Sequence, residues 1–273
     1  MKRTARLASL ALVGALALAA CGNDDSEDSS ATSGNAADES SQTSDKSGSD
    51  AEAPAEGEEV DVEALLDDMS EGLGTMSTAH VTMDMTLMGQ KMHGEGDSSY
   101  EDDDTRSRFT MTVPGAGEME MVLIGTTLYM KLDQLTQGKF LKADVRDPNG
   151  PLGDMSSLVT SVDPAQNFEA YRAGYTKAVY RGEEELQGET MRKYLFTLDL
   201  TKVDQFKQQA RKAGISETPV EMWLDEDDVM RKLHMEMDVQ GQKTVTDVEV
   251  SDLGEDVTIE APPASEVTTK QAG

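Results

Sequence analysis

Methionine and histidine are the residues whose types and spacing could bind a metal ion in this chain. Thioether sulfurs and imidazole nitrogens are ligands that suit copper(I) in an oxidising compartment. Methionines two residues apart occur at Met83–Met85, Met119–Met121 and Met235–Met237. His80 and His234 lie near two of these pairs. Residues two apart share a face of a strand, so we expect both histidines to point away from the neighbouring methionines, and copper binding is the less favoured hypothesis.

Enzymatic chemistry finds little support in the sequence. It contains no Gly-x-Ser-x-Gly, no His-Glu-x-x-His and no glycine-rich phosphate loop, so the common templates for a nucleophile, a zinc site and a phosphate site are unfilled. His93 lies among glycines and is predicted to be a solvated turn residue. The run Glu226-Asp227-Asp228 could bind calcium, but a hairpin turn is the simpler interpretation. We expect a protein that is not an enzyme and that has no metal or other cofactor.

Cys21 is the single cysteine of the chain, so a disulfide within one chain is excluded. Ahead of it, a basic head at residues 1–6 precedes an apolar run at residues 7–17, which is the layout of a secretory signal. That run would cover only about half of a ~30 Å hydrocarbon core, which argues against a membrane span. The sequence Leu18-Ala19-Ala20-Cys21 resembles the lipobox that the lipoprotein signal peptidase cleaves.

The lipobox resemblance implies a membrane anchor. Residues 1–20 would be removed, and Cys21 would carry a lipid such as palmitate that holds the protein at the extracytoplasmic face of the cell membrane. The alternative is an ordinary secretory signal in which this cysteine is incidental. Because Cys21 is the one cysteine and stands at the position that lipidation requires, we favour the anchor.

Composition separates a tether from a folded domain. Residues 22–59 contain no aromatic or large aliphatic side chain, so we expect a disordered acidic tether behind Cys21. The chain carries 53 acidic and 24 basic residues, a formal net charge of −29, which disfavours nucleic acid as a partner. One domain is expected over residues 60–263, followed by a flexible C-terminal tail at 264–273.

The domain begins with an apolar stripe typical of one helix, at Val62, Leu65, Leu66, Met69 and Leu73. Further helices are predicted as two short ones within 154–174, with Asp163-Pro164 as a start signal, and one at 201–213. Alternating apolar and polar residues predict strands elsewhere. These strands are expected around residues 81–87, 109–113, 119–123, 128–132, 177–184, 191–198, 220–224, 229–237 and 245–250. The pattern indicates an α+β fold in which helices pack on one face of a mostly antiparallel sheet.

The order of these elements resembles a known family. Its marks are Gly125-x-x-x-Tyr129, the Gly182 to Gly188 spacing before Met191-Arg192-Lys193-Tyr194, and the segment Pro219–Asp225. Together, behind a lipobox, they look like the LppX/LprAFG group of actinobacterial lipoproteins, which belongs to the LolA-like superfamily. The resemblance covers about residues 60–263. One departure is Lys139-Phe140-Leu141-Lys142, where many relatives carry a tryptophan, and it bears on the shape of the expected cavity.

The resemblance implies a strongly curved sheet, a half-barrel, with helices packed on its concave face around a cavity for acyl chains. The function implied is lipid binding or lipid transport at the cell envelope, with a lipid or acyl-chain ligand as partner. The alternative is a sensor or interaction module of the same fold with a membrane-protein partner.

Methionine fits the lipid hypothesis, because 17 methionines accompany only 5 phenylalanines and flexible thioethers can repack around different chains. The alternative is that methionine merely fills an irregular core. The apolar strand residues that we expect to line the cavity are Met83, Met85, Leu87, Phe109, Met111, Met119, Met121, Leu123, Leu128, Met130, Met222, Leu224, Leu233, Met235 and Met237.

Overall fold

The computed structural model describes residues 54–269 except 88, 101–104, 153–154, 156–157, 159–160 and 240–241. The predicted signal peptide, Cys21 and most of the predicted tether lie outside the described residues. In the part of the chain that is described, no helix is both long and apolar enough to cross a membrane.

Thirteen strands of the described chain form one sheet. They are β1 Glu59–Val60, β2 Thr78–Leu87, β3 Gln90–Ser99, β4 Arg106–Val113, β5 Gly117–Ile124, β6 Thr127–Leu132, β7 Phe140–Asp144, β8 Tyr175–Leu186, β9 Glu189–Asp199, β10 Glu217–Leu224, β11 Met230–Val239, β12 Gln242–Ser251 and β13 Val267–Thr268. The order across the sheet is β1-β8-β9-β10-β11-β12-β2-β3-β4-β5-β6-β7-β13. Only the β7 and β13 pair is parallel among these strands. The predicted α+β class with a mostly antiparallel sheet is confirmed.

Helix α1 (Val62–Leu73) forms where the sequence predicts it. The Asp61 carboxylate accepts hydrogen bonds from the backbone amides of Glu63 and Ala64 at 3.1 and 3.2 Å, which caps the first turn. The apolar stripe of the helix packs against side chains of β8, β9 and β10 such as Tyr194 and Met222. The buried members of the stripe are Leu65, Leu66, Met69 and Leu73.

The other helices are α2 (Asp133–Thr136), α3 (Pro164–Arg172) and α4 (Lys207–Ala213). Helix α3 begins at the predicted cap, where the Asp163 carboxylate accepts a hydrogen bond from the Gln166 amide at 2.9 Å. The second helix predicted within 154–174 lies partly outside the described residues.

The helix predicted at 201–213 is wrong in its first half, because α4 begins only at Lys207. The Asp199 carboxylate accepts hydrogen bonds from both the amide and the hydroxyl of Thr201. This local hydrogen bonding closes a turn and competes with a helical start at that point.

The prediction that His93 lies in a turn is wrong. Residue 93 is in the middle of β3, directly opposite Asp84 of β2. The sequence pattern misses β3 because its residues on the apolar face include Gly94 and Gly96, which carry no side chain to alternate with polar neighbours. A phenylalanine of β4 covers these glycines instead.

Three apolar clusters hold the sheet and its cover together. On one face, helices α1 and α3 pack over β8 to β10, and residues of the segment 152–162 pack over β5 and β6. On the other face, Val257 and Ile259 of the C-terminal segment pack against Val122 and Phe140. The sequence predicts a flexible tail at 264–273, but in the structure Val267 and Thr268 form strand β13 beside β7.

Candidate functional site

Strand register places the predicted apolar residues on one face of the sheet. Across β2 to β5, Val81 is opposite Gly96, Gly96 is opposite Phe109, and Phe109 is opposite Met121. Toward the other edge, Met83 is opposite Val248, which is followed in register by Leu233 and Met222. The fifteen candidate residues alternate with residues of the other face within their strands, so they share one face, which we call the apolar face.

A partly open cavity of about 130 Å³ lies on the apolar face between strands β2 to β6 and the segment ending at Val162. Its volume is close to that of an engineered apolar cavity of ~150 Å³ that holds one benzene molecule. Five of the fifteen candidates line it, which are Met83, Phe109, Met121, Leu123 and Leu128. The cavity walls also include Val81, Ser98, Tyr100, Ser107, Leu158, Ser161 and Val162.

The remaining candidates lie outside the cavity walls. Met222 and Leu224 are buried beneath α1, and Leu233, Met235 and Met237 pack partly buried at the margin of the same cluster. Met85 and Met111 are buried. Partly exposed positions of the same face are occupied by Leu87, Met119 and Met130. The structure therefore brings together one subset of the predicted residues, and another subset forms ordinary core.

Four hydroxyl-bearing residues of the cavity walls were not predicted, namely Ser98, Tyr100, Ser107 and Ser161. Ser98 and Ser107 are opposite each other on β3 and β4, both buried, and the Ser98 hydroxyl donates a hydrogen bond to the Ser107 hydroxyl at 3.1 Å. Burial raises the pKa of Tyr100, while its hydrogen bond with Ser98 lowers that pKa. Buried hydroxyls paired with one another are tolerated on an apolar face. An alternating pattern along β3 could have assigned Ser98 to the apolar face, but the glycines of β3 interrupt that pattern.

The histidines lie on the opposite face of the sheet, which we call the polar face. This is the position predicted for His80 and His234. Each described histidine pairs through its Nδ1 with an aspartate on a neighbouring strand: His80 with Asp97 at 2.7 Å, His93 with Asp84 at 2.9 Å, and His234 with Asp247 at 2.7 Å. The methionines of the three pairs point to the other face. Within the described residues, no cluster of three or more histidine, cysteine, aspartate or glutamate side chains has the arrangement of a metal site.

The acidic run at 226–228 makes the predicted hairpin turn between β10 and β11. The Asp225 carboxylate accepts hydrogen bonds from the amides of Asp227 and Val229 at 3.1 and 2.9 Å. Asp228 forms an ion pair with Arg192 at 2.9 Å. Burial raises the pKa of Asp228, and the Arg192 guanidinium opposes that rise. These carboxylates therefore serve the turn.

A second, open depression of about 520 Å³ lies on the polar face between Tyr129, Lys142 and residues of the C-terminal segment. It is larger than the cavity on the apolar face, but it is more open to solvent, and polar atoms make up about half of its lining. Hydrocarbon binds in clefts that are lined mainly by apolar side chains. We therefore take the smaller cavity on the apolar face as the candidate site.

Two solved structures resemble this fold over most of its length. LprF from Mycobacterium bovis superposes with a TM-score of 0.51 and 15% sequence identity, over 74% of this chain and 96% of LprF. The lipoprotein LppX from Mycobacterium tuberculosis superposes with a TM-score of 0.51 and 15% identity, over 73% of this chain and 98% of LppX. No protein-family model and no curated protein sequence matches the chain. The chain therefore has the LppX/LprF-like fold.

Proposed function

We propose that this protein is a membrane-anchored lipoprotein that binds a lipid or acyl chain against the apolar face of its sheet, for carriage of lipids at the cell envelope. The observation that carries the proposal is the cavity on the apolar face, whose walls are mainly aliphatic, methionine and aromatic side chains. A filled core at native packing density would leave few voids larger than a water molecule. An apolar void of about 130 Å³ is favourable for hydrocarbon and unfavourable for water.

The fold supports the same proposal. LppX is a lipoprotein with this fold, and the lipobox-like sequence before Cys21 implies the same anchoring for this chain. We propose that residues 22–59 tether the domain to the membrane, and that the sheet curves as a half-barrel with the helices on its concave side. Such a curve would let methionines from distant strands, including Met235 and Met237, approach a ligand that reaches beyond the described cavity.

The test of ligand binding is whether the protein retains lipid. We expect the Cys21→Ser chain, expressed in the native envelope and purified from the soluble fraction without detergent, to yield organic-extractable lipid in about a one-to-one ratio. Mass spectrometry of the extract measures this ratio, and the delipidated protein should then take up a fluorescent fatty acid. Protein that carries no lipid and leaves the fatty-acid probe unbound would overturn the proposed function.

The anchor has its own test. Cys21→Ser removes the sulfur that would carry the lipid, so the mature protein should move from the membrane fraction to the soluble fraction. Two acyl chains contribute about 0.8 kcal/mol per buried CH₂ group, which suffices for stable anchoring. Ser26→Ala, a few residues along the predicted tether, is the matched control and should remain membrane-bound. Retention of Cys21→Ser in the membrane fraction would contradict the anchor.

A further inference from the structure

The ring of Phe109 lies flat on the backbone of β3 at two glycines. A Cβ atom built on Gly94 would be 2.6 Å from Cε1 and 2.7 Å from Cζ of this ring, whereas one built on Gly96 would meet the backbone carbonyl oxygen of Arg108 at 2.2 Å before it met the ring. Real Cβ atoms do not approach ring carbons so closely. Gly94 therefore leaves a hollow on the apolar face that the Phe109 side chain fills, while at Gly96 the backbone of β4 already occupies the space.

This hollow adjoins the candidate cavity. Gly94 and Gly96 are directly opposite Met83 and Val81 of β2, which are cavity walls. Phe109 itself is a wall of the cavity and is only partly buried. Without the phenyl ring, the space over Gly94 would become an extension of the cavity.

The size of the cavity gives this arrangement a consequence. About 130 Å³ accommodates roughly the six carbon atoms of one benzene ring. A common acyl chain has more carbon atoms than this volume holds, so the positions of the cavity walls limit how much hydrocarbon is buried. Val81 is β-branched and stiff, and Leu123 and Leu128 are almost fully buried. The Phe109 ring, by contrast, rests over backbone that carries no side chains.

We propose that Phe109 determines the length of hydrocarbon that the cavity accepts, because its ring occupies the glycine-floored extension of the cavity. This inference rests on the proposed lipid-binding function. It predicts that shortening Phe109 lengthens the preferred ligand. A residue that only packed the core would change stability and leave the preferred length where it was.

The experiment uses the full chain carrying Cys21→Ser, so that no covalently attached acyl group competes for the cavity. Saturated fatty acids from butyrate to palmitate are titrated below micelle formation against a bound fluorescent fatty acid. In the wild-type sequence, affinity should rise about fourfold for each added methylene group that is buried, and then level off. In Phe109→Ala the rise should continue for about six further carbon atoms, the equivalent of one ring. Phe109→Leu, which preserves more of the packing, should give an intermediate break point.

Phe140→Ala is the matched control, since Phe140 is a buried phenylalanine of β7 that packs on the opposite face of the sheet. It should lose stability without moving the break point. If Phe109→Ala and Phe109→Leu level off at the same chain length as the wild type, the role assigned to Phe109 is wrong, while binding itself still supports the proposed function. If no fatty acid displaces the probe from the wild type, the proposed function fails first.

Discussion

Replacing Met69 with alanine should lower the free energy of unfolding by about 2–5 kcal/mol. Met69 is 1% exposed and lies on the stripe of α1, in contact with the core over β8 to β10. Truncation removes buried apolar atoms and leaves a void that the surrounding side chains fill only in part. Urea denaturation followed by the fluorescence of Trp223, which is itself buried, measures the change.

Met92→Ala is the control for that measurement. Met92 is a partly exposed methionine near the start of β3. Folding buries less apolar surface there, so its truncation should lower the free energy of unfolding by no more than about 1 kcal/mol. If the two variants were equally stable, α1 would not be packed on the sheet as the structure has it.

Sequence patterns were sufficient to predict the elements in which polar and apolar side chains are spaced with the period of a helix or a strand. The stripe of α1, the alternation of β2, β4 and β5, and the Asp163 cap each follow from local spacing, and the structure places all of them as predicted. The same alternation was enough to separate His80 and His234 from the methionines. Local information of this kind fixes which face a residue takes, because the period of a strand is two.

The elements that the sequence did not predict depend on residues far along the chain. Strand β3 does not show an alternating pattern, because Gly94 and Gly96 stand at two of its apolar-face positions. The Phe109 ring of β4 packs against them. Strand β13 is only two residues long and exists because β7 offers it an edge. Such outcomes are set by tertiary contacts that periodicity does not encode.

The sequence could predict only which face of the sheet carries the candidate site. Periodicity identifies fifteen residues that point one way, but it does not tell a cavity wall from a filled core, since both are apolar strand faces. What separates Met121 from Met222 is the cover. Met222 lies under α1 and is 1% exposed, whereas Met121 borders the void beside Leu158 and Val162. The packing of a cover over a sheet follows from the whole fold.

Met121→Trp tests whether the cavity holds ligand. The indole should occupy space that the ligand otherwise fills, so stability should change by less than about 1 kcal/mol, because the added volume enters a void and not a close-packed interior. If about three methylene groups of ligand are displaced, the loss of about 2.4 kcal/mol weakens fatty-acid binding about sixtyfold. Probe titration and mass spectrometry of co-purified lipid measure the binding, and urea midpoints measure the stability.

Met222→Trp is the comparison that gives this result its meaning. The substitution is chemically identical and the position lies on the same face, but Met222 is enclosed by Tyr194, Leu233 and the stripe of α1. Overpacking there should cost about 1–3 kcal/mol or more, with fatty-acid affinity changed far less than in Met121→Trp. Equal destabilisation by the two tryptophans, together with unchanged probe binding in Met121→Trp, would mean that the face around Met121 is filled core and that any ligand binds elsewhere.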